Sequence, residues 1–253
     1  MKPVAIFQHD PIQGPGYLQD FLQARDIPCR LFHPADGESL PRHPHDFSGL
    51  VFLGSPLSVN DDLDWMRQEA GLISRAMQMD IPVLGHCFGG QLMAKTLGAA
   101  VTRAASPHIG WGTVRTTRFP EAGRWFGGRH EFPVFNWHYE TFAIPRGAQR
   151  MLFGEFCLNK GFAVGPHLAL QCHLEVTEDI VRDWCREGAA ELAGRERSLV
   201  QSAESILHRL PEKIHELHRI SERVYSVWAR HLPRPLLMAI PSSHFAGQRQ
   251  AAF

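Results

Sequence analysis

The sequence has no net charge: 26 lysines and arginines are balanced by 26 aspartates and glutamates. That balance argues against a whole-protein basic footprint for nucleic acid or for an anionic membrane. No apolar run approaches the roughly 20 residues that span a bilayer. The first apolar stretch, Val4-Ala-Ile-Phe7, turns polar at Gln8-His9-Asp10, too short for a signal peptide. Cysteine is sparse, with five residues at 29, 87, 157, 172 and 185 and no CxxC spacing. An odd, scattered set speaks against a disulfide framework or a cysteine zinc site, and a reducing cytoplasm is the expected location. Internal repeats and low-complexity tracts are absent. So are a GxxxxGK[ST] loop and a Ser-Gly-Gly-x-Asp-Ser loop, so no ATP site is expected.

What is present is a chain of 253 residues, 44% hydrophobic and 21% charged, in keeping with one large globular domain or one domain with an appendage. Short apolar runs at 3–8, 27–32, 49–53 and 81–85 alternate with helical patterns. One such pattern runs through Leu18, Phe21 and Leu22, one follows a cap at Asp61-Asp62, and one spans Phe88 to Leu97. Continuous apolar strands separated by helices predict an α/β fold with a mostly parallel central sheet covered on both faces. From about 110 to 173 the segments shorten. Strands are expected at 132–138, 150–156, 161–164 and 168–172, then a helix from Thr177 to about Glu187. Residues 188–198 suggest a connector. Apolar positions 199, 200, 203, 206, 207 and 210 suit a helix, and Pro211 opens another with 214, 217, 220, 224 and 228 on one face. The last twenty residues, with Pro233, Pro235 and Pro241, resemble a loosely ordered tail.

Chemistry concentrates where the run 81–85 meets the next helix, at Gly85-x-Cys87-x-Gly89. A nucleophile between small residues at a strand-to-helix turn is the pattern of a nucleophile elbow. Such a turn lifts the side chain above the sheet and sets sulfur at a helix N-terminus, which favours thiolate. It also leaves the Phe88 N–H available to a developing oxyanion. A thiol nucleophile needs a base and a group to orient it. In Leu168-Ala-Leu-Gln-Cys-His-Leu-Glu175, His173 and Glu175 lie two apart on a strand or its extended end and therefore share a face. Cys172 then faces the opposite way and is structural.

Four segments together make the chain similar to class I glutamine amidotransferases, in particular to stand-alone proteins resembling the glutaminase domain of GMP synthase. They are Gly54-Ser-Pro-Leu-Ser-Val-Asn-Asp-Asp62, Gly85-His-Cys-Phe-Gly-Gly-Gln91, Trp137-His-Tyr-Glu-Thr-Phe142 and Gln171-Cys-His-Leu-Glu175. Ile109-Gly110-Trp111 is a further shared element, and the likeness runs over about residues 1–190. The resemblance implies a flavodoxin-like fold with added C-terminal helices. It divides the chain into an amidotransferase domain at 1–190 and a helical extension and tail at 191–253. It further implies a Cys87–His173–Glu175 triad and a loop at Gly54 and Ser55 that adds a second oxyanion N–H to that of Phe88. Gln91, with His138, Tyr139 and Glu140 of the family-like segment, would line the substrate pocket. Four positions depart from the family pattern. Ser55 replaces a glycine of Gly-Gly-Pro, Tyr139 and Glu140 replace Gly and Asp of Trp-His-Gly-Asp, and Leu174 replaces the proline of His-Pro-Glu. Serine biases the oxyanion loop toward one state, and Tyr139 and Glu140 add bulk and length beside the substrate.

By this resemblance the chain is a glutaminase that releases ammonia for a synthetase partner, with no metal or organic cofactor required. Two alternatives stand beside it: a cysteine hydrolase of γ-glutamyl peptides or amides on the same fold, and a non-catalytic regulatory subunit. His86 is in place to tune the thiol unless its backbone turn points it elsewhere. His43-Pro-His45-Asp46 reads as a surface loop, because no further ligand cluster accompanies it. His208, His215 and His218 suggest no function. The residues beyond 195 are expected to form helices that pack on the core with a solvated charged face.

Overall fold

The structure, a computed structural model, describes residues 1–193 and 199–233. The tail at 234–253 and part of the connector, 194–198, lie outside the described residues. Nine strands form one sheet: β1 (Val4–Phe7), β2 (Cys29–Phe32), β3 (Gly49–Phe52), β4 (Val83–His86), β5 (Val101–Thr116), β6 (Glu131–Phe142), β7 (Gln149–Phe153), β8 (Gly161–Val164) and β9 (His167–Leu170). Their order is β2-β1-β3-β4-β9-β8-β7-β5-β6. The first five pair in parallel, and the remaining neighbours are antiparallel. The α/β class, with a parallel half of the sheet at β2-β1-β3-β4-β9, is as the sequence predicts, and the other half is antiparallel.

The parallel strands have no polar alternation because both of their faces are covered. In β1, Val4 and Ile6 face one core while Ala5 and Phe7 face the other; β3 divides in the same way. Helices α1 (Gly16–Gln23), α4 (Pro120–Phe126), α5 (Glu178–Glu187) and α8 (Leu210–Ala229) cover the first face. The other is covered by α2 (Asp64–Gln78) and α3 (Phe88–Thr96). Thr177 caps α5 by accepting the Ile180 N–H, and Glu178 and Asp179 complement its dipole. In α8, the apolar positions 214, 217, 220, 224 and 228 are all buried, as their spacing predicts.

Four expectations need correction. Helix α2 begins at Asp64 rather than behind a cap at Asp61-Asp62. The Asp61 carboxylate instead accepts the Ser58 N–H, and Asp62 has φ 55°. The sixteen-residue β5 is not visible in the sequence, because Pro107, Gly110 and Gly112 interrupt its pattern; pairing with β6 along its length holds it extended. The expected helix from 199 is only α7 (Ala203–Leu207). Its predicted first turn lies alongside β5, with Ile109 N–H donating to Leu199 and Gln201 N–H to Ile109. Within the expected connector, Ala189–Leu192 forms a short helix, α6.

Candidate active site

The carboxyl ends of β1, β3, β4 and β9 converge on Cys87. Its backbone has φ 49° and ψ −107°, a conformation that costs a non-glycine residue energy and occurs mostly where function requires it. The neighbouring glycines make the turn possible. A Cβ at Gly85 would lie 2.6 Å from the Gly89 carbonyl carbon, and one at Gly89 would collide with the Phe52 carbonyl oxygen. The chain is tied down on both sides, by Cys87 N–H to Leu170 O at 2.8 Å and Gly89 N–H to Leu53 O at 3.1 Å.

β9 ends at Leu170, and its extended continuation carries His173 and Glu175. His173 N–H donates to Phe135 O, and the two residues form an antiparallel bridge to β6. His173 Nδ1 lies 2.6 Å from Glu175 Oε1 and both side chains are buried, while the Cys87 thiol faces Trp137 O at 3.7 Å and the Gln171 amide at 3.8 Å. The Trp184 ring packs edge-on against the imidazole at 4.8 Å. Burial pulls the imidazole pKa down, but the Glu175 carboxylate and the Cys87 sulfur outweigh it and raise His173 above the usual histidine range. Burial pushes Glu175 up, yet His86 and then His173 outweigh it and hold the carboxyl below its usual range.

His86 supplies a contact that no spacing in the sequence reveals. Its side chain turns away from the thiol, and its Nδ1 sits 3.1 Å from Glu175 Oε2, an ion-pair contact outside hydrogen-bond alignment. Its Nε2 lies 3.4 Å from the Tyr225 hydroxyl on α8. The same helix braces the segment that bears the pair: Ser221 Oγ donates to Leu174 O at 2.6 Å, and His218 donates through Nε2 to Val176 O at 2.9 Å.

A cavity of about 450 Å³ opens above the sulfur. Of the residues the sequence selects, Cys87, Ser55, Gln91, His138, Tyr139 and Glu140 line it, while His173, Glu175, Phe88 and Gly54 do not. Gln91 donates to Glu140 O at 3.2 Å and to Gln171 Oε1 at 3.4 Å; Gln171 in turn points its amide at Cys87 Sγ, 3.8 Å away. The Glu140 carboxylate accepts the Ser58 hydroxyl at 2.9 Å. Trp137, at the head of its family-like segment, also lines the cavity, as do Arg103, Trp184, Glu187 and Glu191, which no motif in the sequence marks. Glu191 accepts from Trp137 Nε1 and from the Tyr139 hydroxyl.

His138 faces the cavity with its body but spends its nitrogens inward. Nδ1 donates to Glu140 O at 3.0 Å, and Nε2 accepts from Lys160 at 2.9 Å. The buried Lys160 ammonium also donates to Asn136 Oδ1 at 2.7 Å and to His108 at 3.1 Å. Burial, reinforced by Lys160, keeps His138 well below the usual histidine range, which matches the neutral tautomer these partners require. Ser55 adopts negative φ, so the serine sits there without left-handed strain, and its hydroxyl accepts the Leu57 N–H at 3.2 Å. Neither the Ser55 nor the Phe88 N–H has a hydrogen-bond partner among the described residues. Also among the described residues, no three His, Cys, Asp or Glu side chains are grouped to hold a metal ion, all five cysteines are free, and no helix is long and apolar enough to cross a membrane.

Comparison with known proteins gives concordant results. The sequence profile of the family described as glutamine amidotransferase class-I matches residues 22–181. The glutamine amidotransferase-like protein YfeJ of Salmonella typhimurium is 30% identical over 195 residues, 73% of this chain and 80% of that protein. Gamma-glutamyl peptidase 3 of Arabidopsis thaliana is 27% identical over 159 residues, 60% of this chain and 64% of that one. A crystal structure of a glutamine amido transferase from Methylobacillus flagellatus superposes with a TM-score of 0.90 at 38% identity, covering 98% of this chain and 100% of the other.

Proposed function

This chain belongs to the class I glutamine amidotransferase family, and we propose that it hydrolyses the side-chain amide of glutamine through Cys87, His173 and Glu175. The observation that carries the proposal is Cys87 held in a strained elbow at the cavity, beside a buried His173 whose Nδ1 lies 2.6 Å from Glu175 and whose imidazole feels the charge of the Cys87 sulfur. In the proposed reaction, Cys87 sulfur attacks the carboxamide carbon while the Ser55 and Phe88 N–H groups receive the developing oxyanion. Each such donor is worth about 10²–10³ in rate. His173 protonates the departing ammonia, then takes a proton from the water that hydrolyses the glutamyl thioester. Glu175 holds the imidazole in the tautomer both steps use. Thiol chemistry of this kind needs neither a metal nor an organic cofactor. Ammonia passes to an acceptor on a synthetase partner. We assign residues 1–190 to the amidotransferase domain and 191–253 to a C-terminal extension, acting together in the cytoplasm.

A second substrate class is favoured by one feature. At about 450 Å³ the cavity falls in the size range of sites for larger ligands, about 300–1,000 Å³, and Trp137, Tyr139 and Trp184 give it an aromatic wall. That space suits a γ-glutamyl peptide or amide whose leaving group is bulkier than ammonia. Mass spectrometry of the intact protein after incubation with a diazoketone analogue of glutamine tests the nucleophile and the glutamine pocket together. The expected result is a single glutamyl-sized adduct on the wild type and none on Cys87→Ala. No adduct on folded, reduced wild type would remove glutamine as the ligand. Hydrolysis rates for γ-glutamyl dipeptides against glutamine then rank the two substrate classes.

A further inference from the structure

A second buried histidine–glutamate couple lies behind the oxyanion loop, outside the triad. His9, just past the end of β1, is 4% exposed, and Glu69 of α2 is fully buried. His9 Nε2 lies 3.0 and 3.1 Å from the two Glu69 carboxylate oxygens, and Nδ1 lies 3.3 Å from Gly54 O. A carbonyl oxygen only accepts, so Nδ1 is the N–H of this pair. The ring cannot turn: it stacks on Trp65 at 5.2 Å and packs against Phe88 at 4.9 Å.

We propose that His9, fixed by Glu69, is a positioning residue that locks the Gly54–Ser55 peptide so that the Ser55 N–H faces the site of the developing oxyanion. It rests on the glutaminase reading for the step that the amide serves, while the orientation of the peptide stands independently. The geometry follows from the planarity of the peptide bond. In a trans peptide the C=O and N–H point in opposite directions, and the described residues contain no cis bond. A Gly54 carbonyl drawn back onto His9 therefore sends the Ser55 N–H forward, and Ser55 lines the cavity together with Cys87. The loop also passes close to the triad: a Cβ at Gly54 would lie 3.0 Å from His173 Cε1 and would collide with the Gln13 amide oxygen. The opposite peptide orientation would aim the negative end of a carbonyl dipole at the oxyanion. Leu53 O accepts from Gly89 N–H in α3, so the two proposed donors, Ser55 and Phe88, sit on segments tied to each other as well as to His9. On this view the state of the loop is held from behind by His9, and the serine at 55 only has to be compatible with it.

Removing His9 alone strands the buried Glu69 carboxyl and destabilises the fold, so the test uses His9→Phe with Glu69→Leu, which removes both polar groups and keeps the packing. Amide NMR of selectively labelled serine reports peptide orientation without any substrate. We expect one narrow Ser55 N–H signal in the wild type and in Glu69→Gln, which leaves Nδ1 its hydrogen bond. The double variant should show a second or exchange-broadened signal. With glutamine, the double variant should lose about 10²-fold in kcat with KM within about twofold, because an oxyanion donor acts only in the transition state. Alkylation of Cys87 by iodoacetamide, which forms no oxyanion, should keep its rate. An unchanged Ser55 signal in a folded double variant would overturn the lock, as would a kcat loss matched by equal loss of alkylation. A wild type inert toward glutamine whose Ser55 signal still splits in the double variant supports the lock and removes the glutaminase reading instead.

Discussion

Two buried imidazole–carboxylate couples flank the nucleophile, and the same burial has opposite outcomes in them. Behind the oxyanion loop, Glu69 meets one histidine; burial dominates, His9 only opposes it, and the carboxyl is pushed above its usual range. On the triad, Glu175 meets two histidines, His86 and His173, whose combined pull outweighs burial and holds the carboxyl below its usual range. The difference is the number of donors that face the acid. A carboxylate flanked by two imidazoles keeps its charge in the interior, and one that meets a single imidazole resists ionisation. Each arrangement suits its place. A triad acid has to remain anionic to hold an imidazole that becomes charged during the reaction, whereas a structural anchor needs only a shared proton.

The most severe break in this comparison comes from Glu175→Gln. An amide cannot hold both imidazoles as the carboxylate does, so activity should fall by roughly 10⁴-fold, as loss of a tautomer-fixing acid does in other triads. Removing one partner of a buried ion pair should also cost about 3 kcal/mol of stability at pH 7. The pKa of Glu175 is depressed in the fold, so its contribution is complete above the ordinary carboxylate range and drains away as pH falls through the depressed value. Denaturant melts should therefore show the gap between wild type and variant narrowing below about pH 5.

His86→Phe would make the triad couple resemble the other one, leaving Glu175 with a single imidazole. The acid limb of the kcat/KM profile should then move up by about one pH unit, with little change on the alkaline side. A profile identical to wild type would deny His86 any part in keeping Glu175 charged.

Glu69→Gln is the mildest of the three, because glutamine keeps a donor and an acceptor for His9 Nε2; a loss of about 1 kcal/mol is expected. Its pH dependence should run in the opposite sense to that of Glu175→Gln. A carboxyl whose pKa is raised in the fold contributes its stability below the ordinary carboxylate range and loses it as pH rises through the raised value. The gap between wild type and Glu69→Gln should thus narrow as pH increases. Parallel slopes for the two variants would show that the couples are electrostatically alike.

How much of this was legible beforehand depends on how far apart the interacting residues lie in the chain. The elbow announces itself, since Gly85 and Gly89 answer backbone demands within two residues of Cys87. His173 and Glu175 share a face by simple alternation, and α8 declares its buried side through Ile214, Leu217, Ile220, Val224 and Trp228. By contrast, His9 and Glu69 are sixty residues apart, and neither has a local reason to seek the other. Lys160 has no motif around it in the sequence, and only the fold closes Asn136, His108 and His138 about it. His218 has no partner in its own helix and finds one at Val176. Strand β5 fails the alternation test because its extension is imposed by the facing strand.

By itself, the sequence determined the layers of the molecule, the nucleophile at its turn, and the imidazole and carboxylate two residues apart, because each rests on periodicity or on backbone geometry over a few residues. Only the tertiary structure decided which way His86 points, which carboxylate keeps its charge, and that His9 stands behind Gly54. Those outcomes depend on desolvation and on partners from distant segments, and both exist only once the two cores have closed over the sheet.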